Sequence, residues 1–496
     1  MKYTIGIDIG TGSVKAVALD SHGKILTQSQ VHYPSSPGEH GIAEQDPVMV
    51  THQFINCVRQ ITDNLQASPQ LIALSSYMHG IMAVDDQCRP LTNILTWADT
   101  RGESIASEIR KSHEGETIYR STGAPLHSML PLFKIIWWQQ NEPGICQRAF
   151  KFISIKEYIW YQLFKEFQID ESIANATGLF DIDLKQWSKR AIQLCGISIQ
   201  QLSEIVPYNH IRSGVQPAIC SVLNIDTNTQ FCIGCSDGCM AVIGSGATKN
   251  GLASLTIGTS GAVRVYSSVP ILHFPQMTFS YVLSKLSFVC GAPINNGGNV
   301  MQWVLEHFLK SKEELNYEQL FQLINSMPAG SEGLIFLPYL FGERAPLWDE
   351  KACGTFFGIS EQHTRDHFLR AAAEGICYAL REVVELLEQS IRIQEIMVSG
   401  GFTKSYAWMQ MLADITGKTL VLQQSEDASA LGAALVGMKE IKWINDYDHY
   451  FSIVSAQRVY SDPRNHQRYS QLFPIYKKLA GTLKELMGEL YQIEHG

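Results

Sequence analysis

Two stretches of this 496-residue chain carry the same pattern of apolar and polar positions. The apolar run over residues 3–9 meets a turn rich in Gly, Thr and Ser. An alternating run follows, in which Val14, Ala16 and Ala18 alternate with Lys15, Val17 and Leu19. Half a chain later Ile257-Gly258-Thr259 repeats Ile9-Gly10-Thr11, and Val263 and Val265 flank Arg264. Period-2 alternation around such a turn predicts a β-hairpin. Two such hairpins half a chain apart predict two domains built on one plan. A three-residue match on its own is also what coincidence supplies.

The other elements alternate strand and helix. Residues 71–75 (LIALS) read as a short strand. Residues 83–85 with Gln87-Cys88-Arg89-Pro90 read as a second hairpin. Residues 131–140 are amphipathic and aromatic, and Ile155, Tyr158, Ile159 and Leu163 predict a helix over 153–164. Residues 363–387 read as one long buried helix containing Ala371-Ala372-Ala373 and Gly375. Residues 396–398 read as a strand, and Gly400-Gly401 turns into a helix over 405–415. From about Arg458 the chain is polar, then helical over 476–491, like a packing tail. No low-complexity linker interrupts it. The expected division is 1–248, 249–440 and a tail at 441–496, with a compact hinge near 246–254.

Composition narrows the function. Hydrophobic residues are 45% and charged residues 18%, an ordinary globular mixture. Lys and Arg number 39 against 48 Asp and Glu, a net charge of −9. That balance provides no footprint for non-specific nucleic acid binding and no pull toward anionic membranes. No run reaches ~18 apolar residues, so no membrane helix is expected. The start lacks the basic, apolar and small-residue regions of a signal peptide. Eleven cysteines are few for this length. They fit free thiols in a soluble cytoplasmic protein.

The first loop, Asp8-Ile-Gly-Thr-Gly-Ser-Val-Lys15, has the makings of a phosphate cradle. Gly10 and Gly12 let backbone N–H groups approach a ligand, Thr11 and Ser13 add hydroxyls, and Lys15 adds a charge. Asp8 at the strand end could hold Mg2+ directly or through water. Neither a Walker A loop nor a complete GxGxxG is present. A glycine-rich hairpin without a ligand explains the loop equally well by itself. Gly258-Thr259-Ser260-Gly261 offers the same donors again, and two cradles suit a nucleoside triphosphate better than either alone.

Cys232-Ile-Gly-Cys235-Ser-Asp-Gly-Cys239 invites a metal or redox reading, against cysteines acting as small apolar residues. In the second case Asp237 is the residue of interest. It is either a general base for a hydroxyl attacking phosphorus or the N-cap of the next helix. Met78-His79-Gly80 and Trp97, Asp99 and Arg101 could read a polyol. If extended, 97, 99 and 101 share a face. A buried ion pair beside a core Trp is the alternative.

DIGTGSVKAVALD, MHG, WADTR, CSDG, IGTSG, GGNVMQW and SGGFTKS occur in the order seen in FGGY-family carbohydrate kinases, and the resemblance spans the chain. Trp138 and Ala373 depart from the family patterns in packing only. The resemblance implies an α/β fold of two actin-like (ribonuclease H-like) domains, with ATP and sugar in the interdomain cleft. It implies ATP and Mg2+ as cofactors and a sugar acid or ketose as substrate. It implies that Asp237 is the base and contacts the sugar, and that Asp8 orients Mg2+. Gly10, Thr11, Gly12, Ser13, Lys15, Gly258 and Thr259 would hold phosphates. Gly298, Gln302, Gly401 and Ser405 would line the adenosine pocket, although some relatives carry Asn at Ser405. Met78, His79, Gly80, Trp97, Asp99 and Arg101 would line the sugar site.

TWADTR, TGAPLHSMLPLFK, FISIKEYI, ANATGLFD and FLPYLFGERAPLWD look most like gluconate kinases, while MHG is shared with xylulose kinases. The expected reaction is therefore phosphorylation of D-gluconate at its terminal hydroxyl. Arg101, His127 and Lys156 are the candidate cations for the carboxylate. The alternatives are a xylulose or other polyol kinase, a non-catalytic actin-like nucleotide-dependent sensor, and a metal-redox protein. The expected state is a monomer or homodimer.

Overall fold

The computed structural model describes residues 1–34, 41–308, 317–422, 427–453 and 456–495. The chain forms two compact units that are interleaved in sequence. The first holds Met1–Thr248, Ser267–Cys290 and Asp427–Ile453. The second holds Lys249–Tyr266, Gly291–Glu426 and Val454–Gly496. The sequence reading instead divides the chain at 248 and 440. Segments that continue locally are recruited to different cores by their packing, which no linear boundary displays.

In the first unit six strands lie in the order Ile211–Arg212, Gln230–Ser236, Leu71–Ser76, Tyr3–Ile9, Ser13–Asp20 and Ile25–His32. Tyr3–Ile9 is buried at every position, as a central strand covered on both faces must be. It pairs antiparallel with Ser13–Asp20, as the alternation predicts, and parallel with Leu71–Ser76. The helix Pro47–Leu65 packs on Ser13–Asp20 and Ile25–His32. Asp46 caps it by accepting from the Val48 N–H, and Pro47 occupies its first turn, where no N–H is needed. Its buried Val50, Phe54, Cys57, Val58 and Ile61 recur at helical spacing.

Ala428–Glu440 packs against Tyr3–Ile9, Leu71–Ser76 and the helix Asp237–Gly244. The approach is unusually close. A Cβ on Gly6 would lie 2.0 Å from the Ala430 carbonyl oxygen. One on Gly244 would lie 1.8 Å from the Ala428 oxygen, and one on Gly432 would lie 2.0 Å from the Met240 oxygen. Only glycine lets these backbones meet, and the helix carries Asp427 in with it as its N-cap.

In the second unit Gly261–Ser267, Leu252–Ile257, Glu395–Ser399, Thr419–Leu422 and Gln457–Val459 are successive neighbours. Leu252–Ile257 pairs antiparallel with the strand after it and parallel with Glu395–Ser399. This is the plan of the first unit, so the echo at 9–11 and 257–259 reflects a shared topology. The long helix is Arg365–Glu388. Gly375 lets it approach Phe336, whose carbonyl oxygen a Cβ would meet at 2.6 Å. The tail helix is longer than its pattern predicts, Pro463–His495, and runs through Pro474. Tertiary anchoring offsets the proline: Leu472, Phe473 and Tyr476 are buried. The Arg370 guanidinium donates to the Tyr469 hydroxyl at 2.9 Å and to Glu374 at 2.7 Å.

Gly244→Ala is expected to force the two helices apart and destabilise the protein by about 2–3 kcal/mol or more. Gly481→Ala, in open space on the tail helix, is expected to be neutral or slightly stabilising. Urea melts of both variants check this contrast.

Candidate active site

The loop after the first strand is held by its carbonyls. The Tyr33 hydroxyl donates to the Gly10 oxygen, the Gln45 amide to the Thr11 oxygen, and the Tyr33 N–H to the Gly12 oxygen at 3.1 Å. Gln45 is itself steadied by the Tyr77 hydroxyl at 3.0 Å. Three consecutive carbonyls are thereby committed to protein donors. That arrangement suits anion binding, because a free carbonyl would repel a phosphate. Gly12 is exposed, with nothing within 4 Å of where a Cβ would stand. Lys15 forms a 2.7 Å ion pair with Asp427. Tyr33, Gln45 and Asp427 were not singled out from the sequence; each is remote along the chain, and no local pattern marks it.

Asp8 is 8% exposed and accepts from the Ser75 hydroxyl at 2.7 Å. Burial pushes its carboxyl up to about 8, and the neighbouring carboxylates of Asp427 and Asp237 add to the rise. Ser75 and Lys15 oppose it. Asp8, with the carboxylates of Asp427 and Asp237 beside it, forms a donor set that suits a hydrated Mg2+.

Asp237 is the first residue of the helix Asp237–Gly244 and is half-buried. The capping role belongs to Ser236, whose hydroxyl accepts from the Cys239 N–H. Asp237 Oδ1 accepts from the Gly238 N–H at 2.7 Å. The N-cap reading of Asp237 therefore passes to its neighbour. Cys232, Cys235 and Cys239 are buried free thiols. Burial pushes Cys232 up to about 12 and Cys235 well above the usual thiol range. All three are packed as small apolar residues, and among the described residues they do not gather ligand atoms into a metal-sized cluster.

His79 has φ +68°. Its Nδ1 donates to the Ala176 oxygen at 2.7 Å, which leaves Nε2 to accept from the Tyr281 hydroxyl at 3.4 Å. A buried lysine quoted in a sequence motif but given no role there, Lys134, donates to the carbonyls of His79 and Thr96. Burial lowers it to about 7. Met78 is half-buried beside His79, and Gly80 abuts the Tyr77 ring.

Residues 97–101 are not extended. Trp97 lies in a turn closed by the Asp99 N–H on the Thr96 oxygen, so the expectation of a common face fails. Trp97 Nε1 donates to the Thr11 hydroxyl at 3.0 Å, which ties it to the first loop. Asp99 is 0% exposed. It accepts from Arg101 and from the Ala43 N–H at 3.0 Å. It is placed to position Arg101 and not to touch a solute. Arg101 also pairs with Glu44 at 2.6 Å and lies over the Trp137 ring at 4.8 Å. Among the carboxylate-binding candidates Lys156 is ruled out: it is 1% exposed and ion-paired with Asp170.

The second unit contains a cavity of about 600 Å³, within the range of small-molecule sites. Its lining brings together Gly258, Thr259, Gly298, Gln302, Gly401 and Ser405. Phe321, Phe402 and Trp408 also line it, and Phe321 and Trp408 stack at 4.7 Å. The Gly298 N–H donates to the Gly258 oxygen at 2.8 Å, docking the second hairpin turn on the helix Gly298–Phe308. A Cβ on Gly298 would lie 2.7 Å from that oxygen. Ser405 Oγ accepts from the Trp408 N–H as a helix cap. The three aromatic residues are among those the sequence reading omits, since an aromatic side chain reads as core until its cavity is seen.

The family model for the N-terminal domain of FGGY carbohydrate kinases matches residues 3–244, and that for the C-terminal domain matches residues 253–441. The chain belongs to the FGGY family of carbohydrate kinases. As an FGGY kinase it is a phosphotransferase with an alcohol group as acceptor, on the two-domain actin-like (ribonuclease H-like) fold. Gluconokinase of Bacillus subtilis (strain 168) is 35% identical over 100% of this chain and 98% of that protein. The crystal structure of gluconate kinase from Lactobacillus acidophilus superposes with TM-score 0.95 at 30% identity, covering 99% of each chain. The ligand-bound xylulose kinase from the same organism gives TM-score 0.95 at 29% identity, covering 99% of this chain and 100% of that one. Among the described residues of this FGGY kinase, no helix is long and apolar enough to cross a membrane.

Two outcomes are expected. Because Asp8 is raised, the folded protein binds more protons than the unfolded chain between about pH 4 and pH 8. Its contribution to stability is full below that window and is lost as pH rises through it. Asp8→Asn should reduce the fall in Tm of the ligand-free protein between about pH 5 and pH 8. Separately, the cysteines at 232, 235 and 239 should stay unreactive toward a thiol reagent until the protein is unfolded, checked by mass spectrometry of labelled peptides.

Proposed function

We propose that this kinase transfers the terminal phosphoryl group of ATP to the terminal hydroxyl of D-gluconate, giving 6-phospho-D-gluconate and ADP. The observation that carries the mechanism is the placement of Asp237: half-buried at a strand–helix junction, relieved of capping by Ser236, and close enough to raise Asp8. The hydroxyl oxygen forms the new bond to phosphorus, the bond from phosphorus to the ADP oxygen breaks, and the hydroxyl proton passes to Asp237. Asp8 would hold Mg2+ through its water shell, with Asp237 and Asp427 nearby. Mg2+ when bound supplies charge neutralisation on the phosphates. The first loop, with Gly10, Thr11, Gly12 and Ser13, would bind the phosphate oxygens through its N–H and hydroxyl groups. Lys15 would serve there on exchanging Asp427 for phosphate. The aromatic cavity with Gly298, Gln302, Gly401 and Ser405 would take adenosine, and Gly258 and Thr259 would meet the phosphates.

The choice of gluconate is supported by the full-length match to gluconokinase and by the stretches around Trp97 and Arg344. Arg101 as a cation and His127 as a ring N–H donor remain for its carboxylate. The Met129 N–H donates to His127 Nδ1 at 3.2 Å, leaving Nε2 to carry the proton of the neutral ring. Xylulose is the second acceptor to weigh, because the xylulose kinase superposes as well as the gluconate kinase does. Small-molecule substrates, cytoplasmic location and a monomer or homodimer complete the proposal.

An ADP-release assay with Mg-ATP tests it on D-gluconate, D-xylulose, glycerol, L-ribulose and no acceptor. Turnover is expected on gluconate, with kcat falling by about 10²–10⁴ in Asp237→Asn. Arg101→Met or His127→Ala should raise the gluconate KM at least ~10-fold, as loss of a charge-assisted hydrogen bond would. Turnover on xylulose in place of gluconate would move the acceptor and keep the mechanism. Full activity in Asp237→Asn would overturn the mechanism.

A further inference from the structure

The strand that delivers Asp237 is irregular. Gln230–Ser236 pairs with Leu71–Ser76, but the register shifts between Cys232 and Cys235. The bulge contains Gly234 at φ +65°, where a Cβ would lie 1.7 Å from the Leu74 oxygen. A bulge re-aims everything beyond it, so something must define where the strand end points.

A buried chain of directional bonds meets that end. Lys156 is ion-paired with Asp170, both fully enclosed, and also reaches the Gly234 oxygen at 3.4 Å. Asp170 Oδ1 accepts from the Ser172 N–H at 3.0 Å, from the Ile173 N–H at 3.1 Å and from the Ser172 hydroxyl. With its proton committed to the carboxylate, the Ser172 oxygen presents a lone pair. It accepts from the Ser236 N–H at 2.8 Å. Ser236 immediately precedes Asp237 and caps its helix. From the other side, the Ser429 hydroxyl donates to the Asp237 carbonyl at 3.1 Å.

We infer that Lys156, Asp170 and Ser172 are positioning residues that set the direction of Asp237, with Ser172 as the link to the Ser236 amide. The inference rests on reading Asp237 as the base. A buried ion pair is weak support for stability, since an apolar replacement is often neutral or better. Here the pair holds both the bulge and the strand end. Networks of this kind confer geometry, and a displacement of about 1 Å at a reacting group costs roughly 10²-fold in rate.

A double-mutant cycle tests it, with kcat and KM measured for wild type, Ser172→Ala, Asp237→Asn and the double variant, normalised to the folded fraction. Ser172→Ala should lower kcat by about 10–100-fold and leave both KM values within about 2-fold. Added to Asp237→Asn, it should change kcat by less than about 2-fold, because its effect passes through the carboxylate that is already gone. Should Ser172→Ala fail to fold, Ser172→Cys serves the same cycle, since a thiol fills the space but accepts weakly. Additive losses would overturn the inference and make Ser172 purely structural. Unchanged kcat in Ser172→Ala, with Asp237→Asn inactive, would overturn the relay and keep the base. Activity in Asp237→Asn would reject the base reading itself, whatever Ser172 does.

Discussion

The close seating of the helix Ala428–Glu440 on the first strand is the constraint on which the first unit depends. Gly6, Gly244 and Gly432 remove the side chains that would hold three backbones apart. Backbone contact at that distance sets the position of the helix to within a fraction of an ångström, because interiors have little free volume to absorb an error. The N-cap of that helix, Asp427, is thereby delivered to Lys15 and Asp8. Packing by the smallest residues decides where charge is concentrated.

That concentration has an electrostatic logic. A carboxylate enclosed beside two others is unfavourable in its charged form, and Asp8 shows it. A fold that keeps such a group maintains a place for positive charge. The same economy governs the first loop, whose carbonyls are occupied by Tyr33 and Gln45. The bond from Trp97 to Thr11 connects the segment expected to read the acceptor with the loop expected to read phosphate. Lys134 adds a second connection, joining the backbone at His79 to that at Thr96. In the second unit the hairpin turn rests on the start of a helix, beside an aromatic cavity. One topology used twice thus presents two differently furnished loops.

Much of this was legible in the chain before any coordinates. The two hairpins, the strand at 71–76 and the long helix after 364 follow from local periodicity, since burial on one face or two imprints itself within a few residues. The glycine-rich loops and Asp237 were recognisable because their chemistry is carried by residue type and close spacing, whereas Gly298, Gln302, Gly401 and Ser405 of the second cavity came only from the family resemblance and its aromatic residues were missed. The extent of the tail helix was not, because Pro474 reads as a break until the packing of Tyr469, Phe473 and Tyr476 is known. Nor was the turn at Trp97, where the buried Asp99 draws the chain inward toward the Ala43 amide.

The sequence by itself determined the family, the chemistry it practises and the small set of polar residues that could perform it, because these reside in local motifs and their order. Tertiary structure alone decided which charges meet. It took Lys156 away from solvent and gave it to Asp170, passed the capping of the Asp237 helix to Ser236, and set Asp427 against Lys15. The reason is physical. Periodicity is a property of neighbours along the chain. The energy of a charge depends on which groups surround it in space and how much water they exclude, and those groups are contributed by segments far apart in sequence.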